Sequence, residues 1–124
     1  MKYVDEQSLP QLNDEEFAEF RKRARPYTVV ILKSGPRFEP PDPGFQSEVG
    51  QIIYKHGRRN VQLHLAGLMP VVCPISDGSG ISGTCVFDAT PEEVEMIMSR
   101  DPGVLAGVFT YEIHQARSFP GSTL

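Results

Sequence analysis

LMPVVCPI (residues 68–75) and ISGTCVFD (residues 81–88) are two apolar runs on either side of the turn-forming segment SDGSG (residues 76–80). Short runs rich in valine and isoleucine predict β-strands, and the intervening Ser, Asp and Gly predict that the two strands pair as a hairpin. Pro70 places the start of this hairpin at a sheet edge, because proline cannot donate a ladder hydrogen bond. The middle of the chain is therefore predicted to be a β-hairpin.

One helix and one further strand are predicted on each side of the hairpin. Apolar residues recur at helical spacing from about Phe45 until Gly67. TPEE (residues 90–93) combines a threonine N-cap, a proline at the first helical position and a glutamate that completes a capping box. YTVVILK (residues 27–33) and GVFTYEIH (residues 107–114) predict the outer strands. The order β-α-β-β-α-β predicts a ferredoxin-like α+β fold, an antiparallel sheet with both helices on one face.

An additional helix precedes this domain in the sequence. Asn13 and Glu16 form an approximate capping pattern, Phe17 and Phe20 fall on one face, and Pro26 follows the helix. We expect an N-terminal arm and helix over residues 1–25, the ferredoxin-like domain over 26–117 and a polar tail over 118–124. The open face of the sheet needs a cover, which predicts a homodimer, and the extra helix could build a higher oligomer.

Charge and hydropathy exclude two classes of partner. The net charge is -4 and the 23% of charged residues have both signs, so nucleic acid is not expected to bind. The basic run RKRAR (residues 21–25) follows acidic residues on one helix, where it complements the helix dipole. No apolar run approaches the roughly 20 residues that span a bilayer, and the N-terminus lacks the apolar core of a signal peptide. We expect a cytoplasmic protein with no membrane partner.

The two cysteines, Cys73 and Cys85, fit reduced thiols in that compartment and lack the Cys/His spacing of a zinc site. No metal is expected. A hairpin centred at Ser79 would bring the two thiols near one another across the strands. Buried free thiols and a redox pair both remain open.

Several separate motifs resemble the YciI-like (YCII-related) family of the dimeric α/β-barrel superfamily. The residues that carry the resemblance are ILKSGPRF (31–38), the spaced set His56, Gly67, Pro74 and Asp77, and RDPGVLAGVFTYEIH (100–114). The resemblance covers roughly residues 27 to 115. It implies a dimer whose sheets enclose a pocket, with a catalytic pair at His56 and Asp77. The chain departs from the family pattern at Cys73, where the family usually has glycine.

The residues allow proton transfer without a cofactor. A neutral imidazole can take up a proton while a carboxylate on its far nitrogen stabilises the imidazolium, so His56 and Asp77 could form an acid/base pair. The resemblance to the YciI-like family implies a lyase or isomerase acting on a cyclic or aromatic organic acid, with chemistry similar to dehydrochlorination or muconolactone isomerisation. The residues expected to bind this small ligand are Arg37, Phe38, Cys73, Pro74 and His114.

Other interpretations remain open for the same residues. His56 could be a hydrogen-bonded histidine inside a dimer core, and Asp77 could be a turn former that caps its own backbone. His64 and His114 are interpreted as ordinary surface or helix-end histidines. The alternative function is a ligand-binding or accessory protein of the same fold without catalysis.

Overall fold

Four antiparallel strands form one sheet in a computed structural model that describes residues 5–119. The strands are β1 (Arg25–Ser34), β2 (Val71–Pro74), β3 (Ile81–Phe87) and β4 (Phe109–Ser118). Their order in the sheet is β2-β3-β1-β4, with β1 between β3 and β4. The protein therefore has the α+β, ferredoxin-like architecture that the element order predicts. Residues 1–4 of the arm and 120–124 of the tail lie outside the described residues.

The helices begin where the sequence supplies caps. They are α1 (Asp14–Lys22), α2 (Glu48–Leu65), α3 (Pro91–Met98) and the single turn α4 (Pro102–Leu105), after a short 3-10 turn at Glu6–Ser8. Capping boxes start α1 at Asn13 and α3 at Thr90. Helix α2 starts later than Phe45, because the Asp42 carboxylate binds the backbone N–H groups of Gln46 and Ser47 and holds a turn there.

The hydrophobic core lies on one face of the sheet. Along β1, Thr28, Val30 and Leu32 are buried, whereas Val29 and Ile31 between them are only half-buried. The core consists of Val30, Leu32, Val49, Met69, Phe87, Val94, Met98, Val108 and Phe109. Because Val49, Val94 and Met98 come from α2 and α3, both helices cover the face that carries Val30.

The register of the hairpin separates the two cysteines. Cys73 pairs with Thr84 and Val72 pairs with Cys85, so the turn is centred between Gly78 and Ser79. Side chains on adjacent positions of a strand point to opposite faces. Cys73 therefore projects from the open face and Cys85 from the helix-covered face, and both thiols are free. The expectation that the two thiols approach one another across the strands is therefore wrong, because the turn is centred half a residue before Ser79.

Candidate functional site

A buried histidine and a buried aspartate meet between α2 and α4. The Nδ1 atom of His56 lies 2.8 Å from Oδ1 and 2.9 Å from Oδ2 of Asp101. His56 is 8% exposed and Asp101 is 1% exposed. Since an ionised carboxylate can only accept, Nδ1 carries the hydrogen and donates it to Asp101. In the neutral ring the lone pair is consequently on Nε2.

The chain segment Asp-Pro-Gly fixes the aspartate in place. Asp101 is the N-cap of α4, and its Oδ2 accepts hydrogen bonds from the N–H groups of Gly103 at 2.9 Å and Val104 at 3.2 Å. A Cβ at Gly103 would lie 2.5 Å from Cδ2 of Phe109 and 3.1 Å from Oδ2 of Asp101. Glycine is therefore required at position 103 for the carboxylate and the Phe109 ring to sit side by side.

The hydrogen bonds keep Asp101 ionised although it is buried. Burial alone would raise the pKa of Asp101. The hydrogen bond and the charge of His56 act in the opposite direction, as do the hydrogen bonds from the backbone N–H groups of Val104 and Gly103. The net result is a pKa below the usual value of 3.8. Arg59 adds positive charge, with Nη1 3.7 Å from Oδ1. The pair therefore combines a fixed carboxylate with an imidazole held in one tautomer, an arrangement suited to stabilising an imidazolium.

Asn60 occupies the other side of the imidazole. Its Nδ2 lies 3.2 Å from Nε2 of His56, one helical turn along α2. The amide N–H donates to the lone pair of the neutral ring, whereas the amide oxygen, after rotation of the side chain, would accept from a protonated Nε2–H. Asn60 can thus serve both protonation states. The Phe109 ring packs on the imidazole with centroids 4.6 Å apart.

A cavity of about 240 Å³ adjoins this cluster beneath α2 and above β1, β2 and β3. Its described lining includes no lysine, arginine, aspartate or glutamate, and its polar side chains include His56 and Asn60. Phe45, Met69 and Phe109 supply apolar surface. Ligand sites commonly combine an apolar wall with a few polar groups, as this cavity does.

Phe45 stands at this cavity in a strained conformation. It is the one non-glycine residue among the described residues with positive φ, at 55°. Its ring lies edge-on to Tyr54 with centroids 5.9 Å apart. Asp42 holds the turn, and hydrogen bonds from Ser47 and Gln46 lower the pKa of Asp42 to about 2. A strained backbone persists only where the surrounding structure maintains it. Such residues are concentrated at functional sites.

Asp77 does not meet His56. It lies exposed in the hairpin turn, where its Oδ1 accepts a hydrogen bond from Ser79 N at 3.0 Å. Hydrogen bonds from Ser79 also lower the pKa of Asp77. The predicted acid/base pair of His56 and Asp77 is corrected to His56 and Asp101, and the geometry at Asp77 is that of a turn former. In the sequence, Asp101 stands out only as part of RDPGVLAGVFTYEIH (100–114), one of the segments that resemble the YciI-like family, and this resemblance assigns it no role in the site.

The other predicted ligand residues divide into two groups. Cys73 and Pro74 are among the residues at the edge of the cavity, although the Cys73 side chain projects from the opposite face of the sheet. The Arg37 guanidinium is bound to the carbonyl of Ala106 at 2.9 Å and to Glu48 at 3.1 Å, and Phe38 packs against the Phe109 ring. His114 lies on the open sheet face and contacts Glu112 at 3.1 Å. These three residues are absent from the described lining of the cavity.

A larger, more open groove of about 760 Å³ lies between the start of β1 and the start of α3. Several of its polar groups already have partners: Asp88 binds Arg25, and the Thr28 hydroxyl donates to the carbonyl of Ala89 at 2.7 Å. It contains neither histidine nor cysteine. The smaller cavity beside His56 is therefore the candidate site.

Comparisons with known proteins add no assignment. The sequence matches no model of a known protein family, and no curated protein matches it at a significant level. Within residues 5–119, no three His, Cys, Asp or Glu side chains are grouped to hold a metal ion. None of the helices in that part of the chain has both the length and the hydropathy of a bilayer-spanning segment.

Proposed function

We propose that this protein is a homodimeric YciI-like enzyme that transfers a proton within a small cyclic or aromatic substrate, as a cofactor-free lyase or isomerase. The observation that carries the proposal is the buried His56–Asp101 pair beside an apolar cavity. The sequence resemblance over residues 27 to 115 supports the same type of site. His56 is the catalytic residue, and Asp101 is its positioning residue.

The reaction begins with the lone pair of His56 Nε2. The hydrogen bond from the Asn60 amide to Nε2 breaks, and Nε2 takes a proton from an acidic C–H or O–H of the substrate. The Asp101 carboxylate stabilises the imidazolium that forms. In an isomerase the same proton returns to another substrate atom; in a lyase the electron pair of the broken bond expels a leaving group, and His56 later gives its proton to water.

The substrate is uncharged at the position that enters the cavity. The sequence predicted an organic acid with Arg37 as a possible partner. Arg37 is instead bound to Ala106 and Glu48 outside the cavity, and the described cavity lining contains no arginine or lysine. A carboxylate placed there would lose its hydration without gaining a cation. We therefore assign the acidity to a C–H or O–H group.

Deuterium incorporation tests this proposal. Cyclic enones and five-membered unsaturated lactones are incubated with the protein in D₂O, and exchange at carbon is followed by mass spectrometry. The wild type is expected to catalyse exchange, and His56→Asn to reduce the rate by about 10²- to 10⁴-fold. Asp77→Asn is the matched control and keeps the wild-type rate.

The second candidate is a ligand-binding protein without catalysis. It is favoured by the Asn60 amide that already occupies Nε2 and by the structural role of Asp101 as a helix cap. In that case the wild type binds members of the panel without exchange, and His56→Gln retains the binding. If exchange occurs equally in the wild type and His56→Asn, the proposed enzyme is refuted.

The homodimer is part of the same proposal. On the open face, Val29, Ile31 and Val86 are half-buried side chains that are not among those packed on the core. A second copy covering this face would bury them. Ile31→Arg is expected to give monomers, whereas Gln51→Arg on the exposed side of α2 leaves the dimer intact. Light scattering after gel filtration measures both; a monomeric wild type would contradict the dimer.

A further inference from the structure

Gly57 is a glycine in the interior of α2, immediately after His56. Glycine inside a helix costs about 0.5–1 kcal/mol relative to alanine, so its presence there needs a reason. At Gly50 in the same helix the reason is internal, because a Cβ would lie 2.5 Å from Oδ1 of Asp42. At Gly57 a Cβ would meet nothing within 4 Å. Packing within the described chain accounts for Gly50 and leaves Gly57 unexplained.

The open space at Gly57 borders two cavities. The cavity beside His56 has a volume of about 240 Å³, and an outer groove of about 520 Å³ lies between α2 and the edge strand β2. Both volumes are lined by the same four residues: Gly57, Asn60, Val72 and Pro74. A side chain at position 57 would project into the open space that borders both cavities.

The outer groove is suited to an apolar extension of a ligand. Val61, Pro70 and Val71 supply its apolar surface, and its described lining contains no lysine, arginine, aspartate or glutamate. His64 also lines the groove, and Nδ1 of its ring lies 2.7 Å from the carbonyl oxygen of Met69, to which it is hydrogen-bonded. Apolar contact would therefore contribute most of the affinity in this part of the site.

We propose that the ligand of the His56 site extends past Gly57 into the outer groove, as an elongated and uncharged molecule with an acidic proton at its inner end and an apolar body. This proposal rests on the proposed function of the His56 cavity. Gly57 is then a specificity residue, because its missing side chain leaves room for the body of the ligand.

Two naphthols of different length test the proposal. 2-Naphthol is short enough for the inner cavity alone, and 6-phenyl-2-naphthol carries an apolar extension. Calorimetric titration measures their affinities for the wild type, Gly57→Ala, Gly57→Leu and the control Gln62→Leu, which adds the same side chain on the exposed side of α2. Alanine and leucine are good helix formers, so both Gly57 variants are expected to fold.

The wild type should bind 6-phenyl-2-naphthol at least about tenfold more tightly than 2-naphthol, since the phenyl group buries further apolar surface. Gly57→Leu should abolish this difference and leave 2-naphthol within about twofold of the wild type. Gly57→Ala should reduce the difference partly, and Gln62→Leu should preserve it.

Other outcomes overturn the proposal in distinguishable ways. If the wild type binds both naphthols equally, or Gly57→Leu weakens both alike, the extended ligand is refuted while the His56 cavity stands. If Gly57→Leu changes only the oligomeric mass, the glycine contacts a second copy instead. If neither naphthol binds the wild type, the proposed ligand cavity fails, and the extended ligand fails with it.

Discussion

The Nδ1 atom of His56 lies 2.8 Å from Oδ1 of Asp101, which is 45 residues further along the chain. One residue comes from the buried side of α2 and the other caps the first turn of α4. The same carboxylate therefore holds the imidazole and begins a helix. This double use explains why a buried charge is tolerated, since each of its oxygens has a donor.

Replacing Asp101 should destabilise the fold much more than replacing Asp77. Asp101→Asn removes a buried charge that binds His56 and caps α4, and we expect the free energy of unfolding to fall by about 1–3 kcal/mol. Asp77→Asn changes an exposed turn residue to another good turn former, with a loss below about 0.5 kcal/mol. Urea denaturation measures both; equal losses would refute the structural role assigned to Asp101.

The lowered pKa of Asp101 predicts a specific acid sensitivity. A carboxyl group whose pKa falls on folding stabilises the protein above its unfolded pKa, and this contribution is lost as the pH falls through the folded pKa. The stability difference between wild type and Asp101→Asn should therefore shrink below about pH 4. Urea denaturation from about pH 5 downward, where histidine titration contributes little, measures it. A difference that stays constant would contradict the lowered pKa.

Gly103 and Gly57 should respond oppositely to the same substitution. Gly103→Ala forces a Cβ against the Phe109 ring and should lower the free energy of unfolding by about 1–3 kcal/mol. Gly57→Ala places its Cβ in open space and should raise that free energy by up to about 1 kcal/mol. Thermal and urea denaturation compare the two variants. If Gly103→Ala does not lower the free energy of unfolding, the segment after Asp101 is loosely packed.

Burial raises the pKa of the Cys85 thiol to about 12, so little thiolate is present at neutral pH. In a Cys73→Ser background, iodoacetamide should alkylate Cys85 at least about 100-fold more slowly in the folded protein than in urea. Mass spectrometry follows the reaction. Rapid alkylation in the folded state would indicate that Cys85 is exposed on an accessible surface.

Local signals predicted most of the fold. The hairpin, the capping residues Asn13 and Thr90, and the strand around Val30 depend on residues that are neighbours in sequence. Helix α4 is a single turn, and its signal, Asp-Pro-Gly, also occurs where a chain merely turns. The strand register was less predictable, because a half-residue shift of the turn sends Cys73 and Cys85 to opposite faces.

The partners within the site were harder to predict than its central residue. The helical periodicity placed His56 on the buried face of α2, as found. Its carboxylate partner depends on how α4 packs against α2, and sequence spacing carries no information on that contact. Arg37 likewise binds the carbonyl of Ala106, a backbone group that no side-chain pattern reveals.

The most direct test of the central claim is the tautomer of the neutral His56 imidazole, measured by NMR in wild type, Asp101→Asn and Asp77→Asn. Long-range ¹H–¹⁵N spectra report which ring nitrogen carries the proton. We predict an Nδ1–H tautomer in the wild type and in Asp77→Asn, because the Asp101 carboxylate accepts from Nδ1. In Asp101→Asn the amide oxygen still accepts from Gly103 and Val104 and the NH₂ group faces Nδ1, so the proton should move to Nε2. An unchanged tautomer in Asp101→Asn, or a changed one in Asp77→Asn, would contradict the His56–Asp101 pair.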